Sequence, residues 1–530
     1  MYTLFFSIMK WDDEKLAIRG LVFLVAYAAV RSVVCAASRP FWYDELCTVA
    51  IARLPTTAAI WNAIEHGADS HPPTYYLLER FANYLVPNPH IAFRLSSVLG
   101  FCGIVLCVFV FVRRRSDAMC ALLCSALTLM SMFYYPFAVE ARGYALMSAC
   151  VAFALVCYQR ADAIKWVLLL GLSLAAAGVF QYYSVFALFP LAVAESAFFL
   201  QSRRLRLGVW SGLACGMIPL IVFWPMLSLL KKYYGAHFWA QPSLTGVLGF
   251  FGWFLNLSPY WGVAVAGAAT VGVIAILVSE CAGKNFASRE LPGNFHENVL
   301  ILALLAMPLA AFIAMKVTHG GLTERYMLPA GLGVPFALGW LLHRTNGRVL
   351  AVFGILLCFG LASQEGSFWL NQRHHIGKII SPAQEVEDLV DKTGRPDLPV
   401  ISSDARDYLQ LLYYGSAAWV PRLVTVVDKS QATAYPGSDN LESQLLILRS
   451  YIPLQVYEFH DFTDQHPEFL LYSAGTMFDS WPARLVDKGY VLRLDAVHEN
   501  RRLYLVVRKD AASQEMDANI TPPAMKGAQR

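Results

Sequence analysis

Over the first two thirds of the chain, apolar runs about as long as a bilayer is thick alternate with short polar breaks. About 20 apolar residues in a helix cross a hydrocarbon core. The runs predict spans at 20–38, 92–112, 118–136, 142–158, 166–181, 184–201, 208–230, 261–279, 298–316, 326–342 and 349–365, about eleven crossings. The charge-free stretch 166–194 is too long for one ordinary helix and is divided at the polar "QYYS" of 181–184. Segment 242–260, rich in aromatic residues, reads as a further span or an interfacial helix. From about 370 the pattern changes. Runs such as "LPVIS" (398–402), "RLVTVV" (422–427) and "EFLLYS" (468–473) predict strands, and helical periodicity at 383–392, 404–414 and 439–450 alternates with them. That is the signature of a small α/β domain. Residues 512–530 have the composition of a disordered tail.

Composition agrees with this division. Of 530 residues, 57% are hydrophobic and 15% charged, against roughly 25% charged in soluble domains. A net charge of +4 excludes a nucleic-acid partner as the reason for the charge. Segments 113–117, 159–165, 202–206, 281–297 and 343–348 are rich in Lys and Arg, and the loops between them are poorer. By the positive-inside rule the rich segments are cytoplasmic. The loop 39–90 and everything after residue 366 are then expected outside. The predicted fold class is a polytopic α-helical membrane protein of about 11 transmembrane helices (1–366), with 39–90 as its first outer loop. A small C-terminal extracytoplasmic α/β domain follows at 367–511. The N-terminus lacks a signal-peptide arrangement, so the first span is expected to stay attached. Of eleven cysteines none follows Cys358, and no C-x-x-C pair occurs, which weighs against zinc or redox chemistry.

Charged residues collect at the predicted outer face. The long loop carries "FWYDEL" (41–46) and "ADSHPPTYYLLERF" (68–81), the next outer loop "PFAVEARGYALM" (136–147), and a later one "MKVTHGGLTERYMLPA" (315–330). Arg31 and Arg94 lie near outer ends of the first two spans. Each feature alone has a plain reading: a solvated acidic pair, a snorkelling arginine, a turn at Pro72–Pro73. Together they suit one chemistry. A carboxylate takes a proton from a hydroxyl, and arginines hold a phosphate. Asp44 and Glu45, about 100° apart on a helix, are not expected to share one task. A transporter or flippase for lipid or glycan is the rival reading, but it would place its charges near the bilayer midplane.

The motifs "FWYDE", "DSHPPTYYLL", "FRLSSVLG", "EARGYAL" and "ERYMLPA" together resemble the GT-C glycosyltransferases, in particular the protein O-mannosyltransferase and aminoarabinose lipid A transferase group. The resemblance spans residues 31–330 and leaves the 370–510 region unmatched. It implies a GT-C fold and inverting transfer of a sugar from a polyprenyl-phosphate donor, drawn from the membrane lipid, to an extracytoplasmic acceptor hydroxyl. It further implies Asp44 as catalytic base, Glu45 assisting acceptor placement, and Glu140 as the second-loop acid. Arg94, Arg142, Arg325 and Tyr326 are implied near the donor phosphate, with Asp69 and His71 at the substrate cleft. The implied location is a cell membrane crossed several times, of the bacterial inner-membrane kind. A divalent cation is left open as a cofactor.

Overall fold

The computed structural model describes residues 2–131, 133–234, 238–252, 294–343, 347–429, 439–476 and 479–509. Among these, six helices are long and apolar enough to cross a membrane: Asp13–Ser38, Leu95–Arg113, Tyr182–Ser202, Phe295–Thr318, Glu324–His343 and Leu350–Gln372. The pair Leu207–Val222 and Trp224–Lys232, bent by 56°, makes a seventh if counted as one span. This corrects the expectation of about eleven crossings. Three of the expected spans form the shorter helices Ala118–Met130, Tyr144–Tyr158 and Ile164–Phe180, at or below the short end of the lengths that cross a bilayer. The span expected at 261–279 and the tail at 512–530 lie outside the described residues. The last apolar helix runs on to Gln372, so the chain leaves the helical part beyond residue 366.

Apolar composition all round, rather than on one stripe, is what lets these helices pack together and still face lipid. Phe23, Leu172, Ile221, Ile313 and Phe359 are exposed on them. Where two helices cross closely, a glycine is required. A Cβ on Gly100 would lie 2.7 Å from the backbone of Ala145, in the helix Tyr144–Tyr158. Charged ends are paired at the face opposite the long loop: Arg115 with Glu297 at 2.5 Å and Arg206 with Glu195 at 2.6 Å.

The long loop folds into α2 (Tyr43–Ala52), α3 (Thr57–Glu65) and α4 (Pro73–Leu85), following α1 (Tyr2–Ser38). Pro72 and Pro73 end the turn and start α4, where a missing N–H goes unnoticed. Thr56 caps α3 by accepting from the Ala59 N–H at 3.0 Å.

The C-terminal part holds β1 (Val400–Ser402), β2 (Leu423–Val427), β3 (Val456–Glu458), β4 (Glu468–Ser473), β5 (Tyr490–His498) and β6 (Arg501–Arg508). They form one sheet in the order β3-β2-β1-β4-β6-β5. β1 pairs in parallel with β2 and β4, and β2 with β3; β6 runs antiparallel to β4 and β5. Strand β3 was not among the expected ones, being three residues long with only Val456 buried.

The sheet domain is not a separate bead. One hydrophobic cluster runs from Phe41, Tyr43 and Leu46 of the loop into Tyr408, Leu409 and Leu445 of the domain. Hydrogen bonds fasten the same seam: Tyr414 Oη accepts from the Phe41 N–H at 2.7 Å, Tyr43 Oη donates to Gln444 at 3.0 Å, and Gln444 donates to the Ala68 carbonyl at 3.0 Å. The domain therefore sits on the loop at the same face of the membrane part.

Candidate active site

The dipeptide Asp44–Glu45 sits in the first turn of α2, where the helix N-terminus favours negative charge. The two carboxylates point in different directions. Glu45 is fully buried and receives Arg94 in a two-pronged pair, Nε to Oε1 and Nη2 to Oε2, both at 2.7 Å. Its oxygens also accept the Trp42 N–H at 3.1 Å and the Ala141 N–H at 2.8 Å. Arg94 completes its set on the carbonyls of Ala36, Arg39 and Pro40 at 2.7–3.0 Å. A guanidinium has five N–H donors, and all five are engaged. Arg94, expected near a carrier phosphate, and Glu45, expected to help place an acceptor, are thus paired with each other away from the cavity described below, and the pair ties α2 to the second loop.

Asp44 turns the other way, with 24% of its side chain exposed. Its Oδ2 accepts from Arg325 Nη1 at 2.9 Å, and Arg142 Nη2 stands 3.8 Å off. Arg142 is buried and clamps Asp69 through Nη1 at 2.5 Å and Nη2 at 3.0 Å, while also donating to Thr48 Oγ1 at 3.2 Å. Burial alone would raise the Asp69 carboxyl, but Arg142 outweighs it and holds Asp69 below the ordinary carboxylate range. Arg325 lies over the rings of Trp42, Tyr144 and Trp239 at 5.5–5.9 Å. Tyr326 stacks on Tyr183, centroids 3.7 Å apart.

His71 is buried between Tyr75 and Tyr144, 5.2 Å from each ring, with Gln181 at 3.3 Å. Burial, and then the charge of Arg142, push its pKa well below the ordinary value. Glu140 is also buried, and its Oε1 finds no hydrogen-bond partner among the described residues. Burial raises it to about 7. Ser97 holds this second loop by donating to the carbonyls of Glu140 at 2.6 Å and Arg142 at 3.0 Å.

A cavity of about 260 Å³ opens over Asp44. Asp69, Arg142, Arg325 and Tyr326 line it; Glu45, Arg94, His71 and Glu140 do not. Thr48, Tyr144 and Trp239 were not foreseen. The first two lie in helices whose apolar pattern reads as packing, and Trp239 follows no motif. The sequence signal for the opposite wall, which comes from the sheet domain, was absent altogether. Among the described residues no group of three or more His, Cys, Asp or Glu is arranged to hold a metal ion.

This fold, apolar helices with a sheet domain packed on the long loop that carries the carboxylate, is similar to that of solved structures. ArnT from Cupriavidus metallidurans bound to undecaprenyl phosphate aligns with a TM-score of 0.53 at 14% identity, covering 91% of this chain and 97% of that one. An Archaeoglobus fulgidus oligosaccharyltransferase tethered with an acceptor peptide aligns at 0.48 and 12% identity, covering 89% and 72%. The family model for dolichyl-phosphate-mannose-protein mannosyltransferase matches residues 70–229. That stretch contains His71, Arg94, Glu140 and Arg142, and stops short of Asp44 and Arg325. The Na(+)/H(+) antiporter NhaA of Arthrobacter sp. (strain FB24) is 28% identical over 164 residues, 30% of this chain and 35% of the antiporter. The chain thus spans about a third of that curated relative's length.

Proposed function

We propose that the chain is a membrane glycosyltransferase that moves a sugar from a polyprenyl-phosphate carrier to an acceptor hydroxyl at the extracytoplasmic face, with inversion. The observation that carries this reading is Asp44, a cavity-facing carboxylate paired with the Arg325 guanidinium, which lines the same cavity. In the proposed step the acceptor O–H gives its proton to Asp44 while its oxygen attacks the anomeric carbon. The bond from that carbon to the phosphate oxygen breaks, and the carrier phosphate leaves with the electron pair. Protonated Asp44 no longer neutralises Arg325. The freed positive charge then becomes available to the phosphate as negative charge develops there.

In this reading Arg325 is the phosphate ligand and Tyr326 shapes its pocket. Arg142 and Asp69 hold the electrostatic setting around Asp44, and Glu45 with Arg94 form a strut. His71 and Glu140 position the loops. The Lys- and Arg-rich loops at the opposite face support an outward-facing cavity.

The test supplies polyprenyl-phosphate sugars and a membrane extract to the purified protein and follows release of the lipid phosphate. Asp44→Asn and Arg325→Gln are each expected to lower turnover by about 100-fold or more. Unchanged turnover in Asp44→Asn would remove the base. The antiporter similarity favours a second reading, a transporter or flippase. It predicts that vesicles move lipid-linked sugar equally well with Asp44→Asn.

A further inference from the structure

The cavity over Asp44 has two walls from different parts of the chain. Asp44, Arg142 and Arg325 form the membrane wall; Ser403, Asp404, Arg406, Thr425 and Ser480 belong to the sheet domain. Ser403 and Asp404 follow the carboxyl end of β1, Thr425 lies in β2, and Ser480 precedes the helix Trp481–Asp487 that comes after β4. In the strand order, β2 and β3 lie on one side of β1 and β4 lies on the other. Open parallel sheets bind ligands outside the strand carboxyl ends at such a reversal. Here that crevice faces the carboxylate proposed as base.

The chemistry of the upper wall narrows what it takes. Its charges are already matched within the protein. Asp404 accepts from Arg406 Nη2 at 2.5 Å and from Thr476 at 2.8 Å. Glu442 accepts from Arg484 at 2.7 Å. An anionic group would have to break one of these pairs to gain a cation. A neutral polyol need not, because each sugar hydroxyl both donates and accepts, and paired guanidinium, carboxylate and hydroxyl groups offer both. The volume, just below the usual range of ligand pockets, suits a sugar unit rather than a long polymer. The seam of Tyr43, Gln444, Phe41 and Tyr414 keeps this wall in fixed relation to Asp44.

We infer that the acceptor is a neutral, polyhydroxylated glycan unit and that the strand ends of the sheet domain present its hydroxyl to Asp44. The inference rests on the transferase reading but is tested apart from it. The purified full chain is irradiated with a diazirine-bearing neutral alkyl hexoside, and the labelled residues are mapped by mass spectrometry. Parallel samples receive the 6-phosphorylated hexoside or a diazirine-bearing Ser/Thr peptide. Labelling by the neutral probe is expected at 403–406 and 480–484, and to fall at least tenfold in Ser480→Tyr, which fills the crevice. Arg406→Lys, which keeps a cation beside the buried Asp404 but removes the guanidinium fork, should lower it too. Labelling confined to the membrane wall, or stronger labelling by the phosphorylated or peptide probe, overturns the inference. Failure of the transferase reading is seen elsewhere, as lipid-phosphate release indifferent to Asp44→Asn, and does not depend on where the hexoside binds.

Discussion

A buried carboxylate is tolerated only when its charge and lone pairs are met, and Glu45 meets both through Arg94 and two backbone N–H groups. Removing one partner leaves the other charged and dry. Arg94→Met is expected to destabilise by about 3–5 kcal/mol, and Glu45→Gln with Arg94→Met together to recover part of that loss, read as thermal midpoints in detergent. A plain phosphate ligand at residue 94 would instead change donor affinity and leave the midpoint alone. The sheet domain offers a titration test. Burial, then the charge of Asp404, raises Asp407 to about 7. The sign follows: a carboxyl whose folded pKa is raised stabilises the fold below its unfolded value near 4, and that stability is lost as pH climbs through 7. Asp407→Asn should therefore raise the melting midpoint by several degrees at pH 8 and change it little at about pH 4, compared by calorimetry.

At the scale of elements, the site depends on how closely two helices approach. Leu95–Arg113 begins at Arg94 and Ser97, while Tyr144–Tyr158 begins just after Arg142, so their spacing sets the distance between loops. Gly100 permits that spacing, since a Cβ there would meet the Ala145–Leu146 backbone at 2.7 Å. Gly100→Ala is expected to cost about 1–3 kcal/mol of stability and to lower turnover, whereas Gly366→Ala, with nothing within 4 Å, should do neither. Most elements were legible beforehand. The strands at 400–402, 423–427 and 468–473 and the helices at 383–391, 405–414 and 440–448 fall within a residue or two of their periodic patterns. The number of crossings was not, because hydropathy measures composition over a window and does not say where a helix breaks.

For the whole molecule, the central question is which side of the membrane the cavity faces. The described geometry puts the first loop and the sheet domain together and the paired basic helix ends opposite. Residues 373–378, between the last apolar helix and the domain, are exposed and include Arg373 and Lys378. Trypsin added outside intact spheroplasts is expected to cut there, detected as a C-terminal fragment of the epitope-tagged chain. Full protection outside, with cutting only after lysis, would reverse the orientation.

The order of apolar runs determined that this is a membrane chain with a sheet domain appended, because helix length and strand alternation are local properties that neighbouring residues express alone. The motifs likewise located the acidic loop, and the 100° between Asp44 and Glu45 already turned their side chains in different directions. What only the tertiary structure decided is which carboxylate meets the cavity and which arginine is spent on the scaffold. Arg94 and Arg325 are alike as letters. One is surrounded by Glu45 and three carbonyls and the other by aromatic rings and Asp44, and those surroundings come from segments tens to hundreds of residues away. The upper wall was invisible for the same reason: serine, threonine and paired charges carry no signature until a sheet brings their strand ends over the loop.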